Sequence, residues 1–524
     1  MKKRKKIHLQ KISNEWGQQN YDYRNFDLIE TYTVLNPSIG FHQLSAQTIA
    51  DIDFYDLFCY LDRTSSKPGQ QFLFDKLNRP VDNLAELKEF DGQINFFSAN
   101  KAAREDAQFL LSQLNKNEAY YITTLLKDKL LEKPKWAKLF VADTLLVIVL
   151  LVLSPWIPVL LIWLLLPFSF NLFLHYWNKK NTYKFSKSFP QLNVLLNVSK
   201  IFLKKDIPFK KNEVEKSITG LTAFQRKYRL LNFGDYGENE IAQIFFMIFE
   251  LLKAIFLIEI HSFFSVLKTL HNKKRDIDTV LKYIGSIDSA ISAASLRAGA
   301  NKITTPVFIE RKKELQATNL YHPLLENCVA NSIKIKNKSI LITGSNMSGK
   351  STFIRAVAIN SILAQTIYTC FADEFITPFV KVFSSIRIDD SLSDAKSYYF
   401  EEVNVISGLI NQSTNSFQNL FILDEVFKGT NTIERVAAAK AILSYLNKNE
   451  NLVLVSTHDI ELAELLKTEY DLYHFVEDIE NDKLIFDHKL KPGQLTSRNA
   501  IKILELSNYP ATIITEAKSI ATRN

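Results

Sequence analysis

The feature that most constrains the fold of this 524-residue chain is a short apolar run that leads directly into a loop of small residues. The run spans 339–343, and the loop at 344–351 matches the pattern GxxxxGK[ST] at every fixed position. A helical stretch follows at 352–365. A strand, a tight turn and a helix in this order predict an α/β sheet whose turn binds phosphate through backbone N–H groups at a helix N-terminus.

The loop is predicted to bind ATP together with Mg²⁺. Lys350 is expected to neutralise the β- and γ-phosphates, and the hydroxyl of Ser351 is expected to be a Mg²⁺ ligand. The predicted nucleotide-binding residues are Gly344, Ser345, Asn346, Met347, Ser348, Gly349, Lys350, Ser351 and Thr352.

Two more apolar runs end in polar residues of the kind that hydrolysis needs. The run at 420–423 precedes Asp424 and Glu425, and the run at 452–455 leads to His458. We expect Asp424 to bind Mg²⁺, Glu425 to orient or deprotonate the attacking water, and His458 to sense the γ-phosphate. Because the carboxyl ends of parallel strands meet at one edge of a sheet, these residues predict an ATP hydrolase.

Composition favours a large, mostly helical chain of two to four domains. Only 14 glycines and 14 prolines interrupt the 524 residues, which is typical of long helices and argues against an all-β fold. The three cysteines, Cys59, Cys328 and Cys370, are far apart and form no CxxC pair. Neither a disulfide framework nor a zinc site is predicted, and the chain is expected to be reduced and intracellular.

The excess of positive charge is confined to two segments. Residues 1–11 and 127–187 together carry a net charge of +12, which leaves −4 for the remainder of a chain whose total is +8. Net charge therefore gives no sign of a nucleic-acid surface on the rest of the chain. The basic tail is either a solvated segment or one that contacts anionic lipid or DNA.

A long apolar stretch predicts a membrane hairpin. Residues 139–177 contain one charged side chain, Asp143, and Pro155 and Pro158 divide the stretch into two passes. Lysines flank both ends, so the rule that positive loops stay inside predicts a multi-pass protein of the cytoplasmic (inner) membrane, with the N-terminus and the ATPase domain facing the cytoplasm. The alternative is a helical hairpin buried in a protein core.

At these motifs the chain resembles the MutS family of ATPases. Residues 343–352 (TGSNMSGKST) are similar to the family's TGPNMxGKST, with Ser345 in place of proline. Residues 424–432 (DEVFKGTNT) are similar to DELGRGTST, and 456–458 (STH) to (A/S)TH. Similarity also extends to YHPL at 321–324, DDSL at 389–392, SYYFEE at 397–402, KLKPG at 489–493 and SRNA at 497–500. It is weaker at LDRT at 61–64 and LNRP at 77–80, which resemble the start of the family's core domain.

The resemblance implies a homodimer with composite ATP sites and a DNA partner. Ser397 corresponds to the family's serine that completes the site of the other subunit. The implied fold is a mostly α N-terminal core and lever region, with the transmembrane hairpin inserted, followed by a C-terminal α/β P-loop NTPase domain of the ABC type. The expected domains are 1–45 basic tail and lead-in, 46–138 core, 139–177 hairpin, 178–300 core and lever, and 301–524 ATPase with a helical dimerisation element.

Two features that occur in some members of the family, a mismatch-reading Phe-x-Glu motif and a nuclease domain, are not found in this sequence. No Phe-x-Glu occurs in the first hundred residues, so mismatch reading by the family's usual route is not expected, and no nuclease domain is expected after the ATPase. A transporter is disfavoured because no LSGGQ-type signature lies between Gln365 and Leu423. The alternative function is a membrane-tethered ATPase of MutS shape that acts on a protein partner or scaffold rather than on DNA.

Overall fold

The computed structural model divides the chain into two compact units. The first comprises Met1–Ser38, Asp62–Asp75 and Gly92–Ala298, and the second comprises Ile39–Leu61, Lys76–Asp91 and Gly299–Asn524. The structure describes all residues except 1, 36–39, 128–137, 232–255, 311–312, 346, 388–397, 415, 428–430, 481–482, 496–503, 506–508 and 522–524.

The first 300 residues are mostly helical, as the scarcity of glycine and proline predicts. Two 3₁₀ segments, Ser112–Leu114 and Asn117–Leu126, interrupt the series. Part of the predicted lever, 241–255, lies outside the described residues. The helices are α1 Lys2–Glu15, α2 Phe26–Ile29, α3 Thr31–Leu35, α4 Ala46–Asp51, α5 Phe54–Leu61, α6 Lys67–Asn78, α7 Leu84–Ala99, α8 Lys101–Leu111, α9 Lys138–Leu153, α10 Leu160–Trp163, α11 Leu165–Leu203, α12 Asn212–Gly220, α13 Thr222–Leu231, α14 Ile258–Leu270 and α15 Lys274–Gly299.

A buried carboxylate organises the first unit. Asp288 on α15 is fully buried and accepts hydrogen bonds from the backbone N–H of Ser65 at 2.9 Å and of Ser66 at 2.8 Å. The hydroxyl of Ser66 donates a third bond, at 2.6 Å. Burial raises the pKa of Asp288 to about 7, although these hydrogen bonds act in the opposite direction. The carboxyl group thus joins the start of α6 to the middle of α15.

The predicted membrane hairpin at 139–177 is wrong, and with it the predicted membrane localisation. Among the described helices, none combines the length and the apolar character that a membrane span requires. The 16 residues of α9 extend about 24 Å, which is less than a hydrocarbon core of about 30 Å. The second apolar run is divided between α10, with 4 residues, and the start of α11, which then continues through a lysine-rich stretch.

The alternative of a hairpin buried in a protein core does not describe these helices either. Along 139–173 most of the large apolar side chains are exposed, among them Leu145, Leu146, Trp156 and Trp163. The proline-containing break between α9 and α10 explains the shortness of both helices, because proline lacks the N–H that a continuous helix needs.

The second unit is built on a six-stranded sheet in the order β12-β9-β4-β8-β7-β6. The pairs within β9-β4-β8-β7-β6 are parallel, and β12 is antiparallel to β9. A second sheet has the order β1-β5-β2-β3, and β10 pairs with β11 as a hairpin. The strands are β1 Val307–Phe308, β2 Glu314–Leu320, β3 Asn331–Lys336, β4 Ser339–Thr343, β5 Glu374–Thr377, β6 Lys381–Ser385, β7 Asn419–Asp424, β8 Leu452–Thr457, β9 Tyr470–His474, β10 Glu477–Glu480, β11 Lys483–Phe486 and β12 Lys491–Pro492.

Helices cover the parallel sheet and explain its apolar strands. Every residue of β4 and β8 is buried, as expected for central strands with both faces covered. Leu443 and Leu466, on two of the covering helices, pack in one cluster with Phe421 and Val453. The helices of this part of the chain are α16 Lys350–Ala364, α17 Tyr398–Ser413, α18 Thr432–Leu446, α19 Ile460–Leu466 and α20 Ala511–Ala521. The expected mostly helical N-terminal region and C-terminal α/β region are both confirmed.

Two glycines of the first unit provide a matched test of the packing around Asp288. A Cβ added at Gly69 would lie 2.0 Å from Asp288 Oδ2 and 2.6 Å from Asp288 Cβ, whereas nothing lies within 4 Å of a Cβ at Gly92 on α7. We expect Gly69→Ala to lower the free energy of unfolding by about 1–3 kcal/mol. Gly92→Ala should raise it by about 0.5–1 kcal/mol, because alanine is the better helix former. Chemical denaturation measures both; equal stability of the two variants would contradict the packing described.

Candidate functional site

The phosphate-binding loop joins β4 to α16, as its sequence predicts. Gly344, directly after β4, has φ +147°, and a Cβ there would lie 2.7 Å from the carbonyl oxygen of Phe475. Gly349, directly before α16, has φ +109°. Both positions therefore need glycine, which explains the two glycines of the motif. Asn346 lies outside the described residues.

Lys350 is held against the loop that precedes it. Its side chain is almost fully buried, and its Nζ donates to the carbonyl oxygens of Gly344 at 2.6 Å and Ser345 at 2.7 Å. The hydroxyl of Ser348 also donates to the Ser345 carbonyl, at 2.8 Å. The ammonium group is thus fixed beside the loop backbone at the start of α16, where a helix N-terminus favours negative charge.

Asp424 connects the phosphate-binding loop to the neighbouring strands. Ser351 donates its hydroxyl proton to Asp424 Oδ2 at 2.5 Å, and the hydroxyl of Ser456 donates to Oδ1. The register of β7 and β8 places Asp424 directly opposite Ser456. A hydroxyl and a carboxylate side by side are hard oxygen ligands, which fits the chemistry of Mg²⁺.

Glu425 and His458 form a second pair at the same edge of the sheet. His458 Nδ1 lies 3.1 Å from Glu425 Oε1, and the Glu425 side chain is 14% exposed against 52% for His458. Glu425 has φ +54°, an unusual value for a residue with a side chain, and its N–H donates to the Ser456 carbonyl at 2.8 Å. A backbone held in this region is a common property of functional sites, because the surrounding contacts must maintain it.

An ion pair fixes the loop that carries His458. Asp459 accepts two hydrogen bonds from the guanidinium group of Arg435, at 3.1 and 2.8 Å, and its N–H donates to Thr457 Oγ1 at 3.0 Å. Both charged side chains are largely buried. A bidentate pair of this kind restricts the backbone next to His458, so the imidazole is presented from an ordered loop.

A cavity of about 610 Å³ opens beside Lys350 and Ser351. Its volume lies within the range of small-molecule and cofactor sites. Tyr321, His322 and His488 are among the residues that line it. Burial and the positive charge of Arg355 lower the pKa of His322 to about 4, so its imidazole is neutral at pH 7.

The structure brings together five of the residues singled out in the sequence, which are Lys350, Ser351, Asp424, Glu425 and His458. Ser397 lies outside the described residues. Its neighbour in the chain, α17, carries the buried Glu402, whose Oε1 accepts a hydrogen bond from the N–H of Phe427. This bond anchors α17 to the turn that follows Asp424 and Glu425.

Several contacts of the site had no strong signal in the sequence. Ser456 belongs to the STH motif, but its bond to Asp424 follows from strand register. Phe475 directly follows β9 and His488 follows β11, and both contact the backbone of the loop. The position of Ser456 at the end of an apolar run was the one available clue, since neighbouring parallel strands end at the same edge.

Comparisons with known proteins find similarity over the part of the chain that carries this site. Residues 340–523 match the family model of MutS domain V. The chain is 31% identical over 316 residues to the DNA mismatch repair protein MutS of Thermotoga maritima, an alignment that covers 57% of this chain and 38% of that protein. It is 31% identical over 259 residues to the MutS of Lactobacillus johnsonii (47% and 30% covered) and 30% identical over 308 residues to that of Caldanaerobacter subterraneus (56% and 35% covered).

The fold and the site define a nucleotide-binding α/β domain with a phosphate-binding loop. Residues 340–523 are similar to MutS domain V, and the relatives that align with the chain are MutS proteins. The predicted similarity to the MutS family is therefore confirmed, whereas the membrane-anchored form of it is not supported. The matched segments amount to less than two fifths of the length of these curated relatives.

Proposed function

We propose that this chain is a MutS-like ATPase that binds ATP with Mg²⁺ at the carboxyl edge of the parallel sheet, hydrolyses it at a composite dimer site, and acts on DNA. The observation that carries the proposal is the meeting of two pairs at that edge. Ser351 contacts Asp424 at 2.5 Å, and Glu425 contacts His458 at 3.1 Å, beside the buried Lys350. Metal-binding, water-activating and phosphate-binding groups are thus contiguous.

The loop supplies the groups that bind the triphosphate. Lys350 would exchange its bonds to the loop carbonyls for bonds to the β- and γ-phosphate oxygens, which carry a full charge and are stronger acceptors. Ser351 and Asp424 would hold Mg²⁺, which neutralises negative charge on the phosphates. The cavity of about 610 Å³ next to them would receive the nucleoside.

Glu425 is the group best placed to act on water. Its carboxylate is mostly buried at the end of β7 and is next in the chain to the Mg²⁺ ligand Asp424. His458 would hold the carboxylate in place through Nδ1 and respond to the γ-phosphate from the neighbouring strand. The carboxylate would orient the attacking water and accept its proton, while Lys350 stabilises the charge that develops on the phosphoryl oxygens.

Removing the charge of Glu425 tests this assignment. Glu425→Gln keeps the shape of the side chain but cannot accept a proton, so we expect turnover to fall at least about 100-fold while ATP still binds. Glu461→Gln on α19 is the matched control, because the same change is made at an exposed position. Steady-state hydrolysis and equilibrium nucleotide binding measure the two effects; normal turnover in Glu425→Gln would show that the base is elsewhere.

The composite site rests on Ser397, which the family resemblance assigns to the other subunit. Ser397→Ala and Lys350→Met should each lose turnover as homodimers. In a mixed dimer, one site would combine an intact Lys350 from one subunit with an intact Ser397 from the other. In an equimolar mixture we therefore expect about a quarter of wild-type turnover to return, since half of the dimers are mixed and each has one working site. If the mixture stays inactive, Ser397 does not act across a dimer.

The DNA partner is proposed from the relatives, which are DNA mismatch repair proteins. Turnover should rise with duplex, mismatched or branched DNA, and the rise should shrink as salt increases, because phosphate contacts depend on counterion release. Hydrolysis across a salt series with each DNA measures this, with Glu425→Gln in parallel. Robust turnover that no DNA changes would favour the alternative, an ATPase that acts on a protein partner.

A further inference from the structure

A polar cavity of about 320 Å³ lies within the first unit. Its volume is near the lower end of the range of small-molecule sites. It is formed by the second half of α1, the segment 18–23, residues between 63 and 70, α8 with the residues that follow it, and Ser295 on α15. Apart from one isoleucine and two tyrosines, the lining residues are all polar or charged. Such a lining favours a polar ligand that makes directed hydrogen bonds.

Lys67 begins α6 and brings an ammonium group to this cavity. Its Nζ lies over the ring of Tyr120, 5.4 Å from the ring centroid, and among the described residues it donates no hydrogen bond and forms no ion pair. Burial lowers the pKa of Lys67, while the charges of Asp62 and Asp22 act in the opposite direction. An anionic ligand would stabilise a partly buried ammonium group that lacks a direct counterion, and the N-terminal end of a helix favours the same charge.

The buried carboxylate nearest in sequence, Asp62, is already used by other donors. Its Oδ2 accepts hydrogen bonds from Arg24 Nε at 2.9 Å and from the Gln70 amide at 2.6 Å. Its Oδ1 accepts from the N–H and the hydroxyl of Thr64, at 3.0 and 2.6 Å. Four donors occupy the two oxygens, so Asp62 is committed to the fold and leaves Lys67 available to a ligand.

The charged lining consists of three lysine or arginine side chains and two carboxylates, which are Lys11, Arg63, Lys67, Glu15 and Asp22. Lys11 and Glu15 lie 3.6 Å apart and largely offset each other. Asp22 is exposed, whereas Arg63 and Lys67 are half-buried. The less exposed part of the lining therefore carries positive charge, which attracts anions.

Gln108 on α8 adds an acceptor that has no partner. The residue is 9% exposed and lines the cavity. Its Oε1 is buried and accepts no hydrogen bond from any residue that the structure describes. Buried polar atoms without a partner are uncommon in folded proteins, because they have lost their bonds to water. A ligand that carries an O–H or N–H donor would supply the missing bond.

Two tyrosines complete the lining. Tyr21 and Tyr23 are both strongly exposed, and both belong to the segment 18–23. Exposed tyrosine rings provide flat apolar surfaces on which nucleic-acid bases stack. An inorganic anion would account for Lys67 but not for these rings, whereas a nucleotide combines negative charge, hydroxyl donors and a flat ring.

We propose that this cavity binds a mononucleotide. Its phosphate would contact Lys67 at the N-terminus of α6, a ribose hydroxyl would donate to Gln108 Oε1, and the base would stack on Tyr21 or Tyr23. The site goes beyond the proposed ATPase function and does not depend on it, because all of its residues belong to the first unit.

Isothermal titration calorimetry on the full chain with Lys350→Met tests the proposal. This change weakens phosphate binding at the phosphate-binding loop, so that binding elsewhere can be measured. The probe is adenosine 5′-monophosphate, compared with adenosine and inorganic phosphate. We expect one molecule of adenosine 5′-monophosphate to bind per chain, and adenosine to bind at least about tenfold more weakly, because it lacks the charged group.

Lys67→Gln, added to this chain, removes the charge that would hold the phosphate. The affinity for adenosine 5′-monophosphate should fall at least about tenfold. Lys187→Gln is the matched control: Lys187 is a half-buried lysine of the same unit, its Nζ lies 5.7 Å from the ring centroid of Tyr183, and it does not line the cavity. The control should leave the affinity within about twofold.

Gln108→Leu replaces the amide with an apolar side chain of similar size. The affinity for adenosine 5′-monophosphate should fall about fivefold, whereas the melting temperature should be unchanged or higher, because an unpaired buried polar atom is removed. Gln191→Leu on α11 is the control. Gln191 is 8% exposed, its Oε1 also lacks a partner among the described residues, and it does not line the cavity. It should leave nucleotide binding unchanged.

Three results would overturn the inference. The first is that the Lys350→Met chain does not bind adenosine 5′-monophosphate. The second is binding that neither Lys67→Gln nor Gln108→Leu weakens, which would place the nucleotide elsewhere. The third is Lys67-dependent binding of a single-stranded oligonucleotide without binding of the mononucleotide, which would make this surface a nucleic-acid contact. None of these results affects the proposed ATPase, whose residues belong to the second unit.

Discussion

The site depends on the parallel register of three adjacent strands. β4, β8 and β7 lie side by side, and their carboxyl ends reach the same edge of the sheet. The phosphate-binding loop, His458 and Asp424 follow those three ends. A shift of one residue in the pairing of β7 with β8 would turn Asp424 away from Ser456, because successive strand residues face opposite sides. The buried apolar residues of these strands make such a shift costly, so the core that stabilises the fold also sets the geometry of the site.

Around this edge, polar contacts stabilise backbone conformations with positive φ values. Gly344 and Gly349 have positive φ values that suit glycine, whereas Glu425 reaches φ +54° with a full side chain. Its N–H bond to Ser456 and its contact with His458 maintain that conformation. At the carboxyl end of the outermost strand, β6, Asp51 accepts four hydrogen bonds, three of them from residues 384–387. The edge that carries the proposed site is thus held both by its own strands and by a segment distant in sequence.

The apolar segment of the first unit shows that amino-acid composition alone does not predict a membrane-spanning helix. The apolar stretch at 139–177 has the composition of a membrane hairpin, but composition does not report where a helix ends. The prolines at 155 and 158 separate α9 from α10, and α10 has only 4 residues. Length and continuity of the helix decide whether a bilayer can be crossed, and both are properties of the folded backbone. The strand-loop-helix motif was predicted more securely, because glycines and a lysine at this fixed spacing are what a phosphate-binding loop requires of its backbone and its charge.

By itself, the sequence determined the phosphate-binding loop, the acidic end of β7, the polar end of β8 and the helical character of the first 300 residues. These features are local: apolar runs, glycines at positive φ and helix-forming composition act on neighbouring residues. Only the tertiary structure decided that Ser456 would bond to Asp424, that Glu425 would face His458, and that Asp51 would hold Arg387. Ser456 and Asp424 are 32 positions apart in the sequence, and Arg387 and Asp51 are 336 positions apart. No local sequence pattern predicts contacts over such separations. They arise because packing of the sheet and its helices brings distant polar groups to one edge, where each must find a partner.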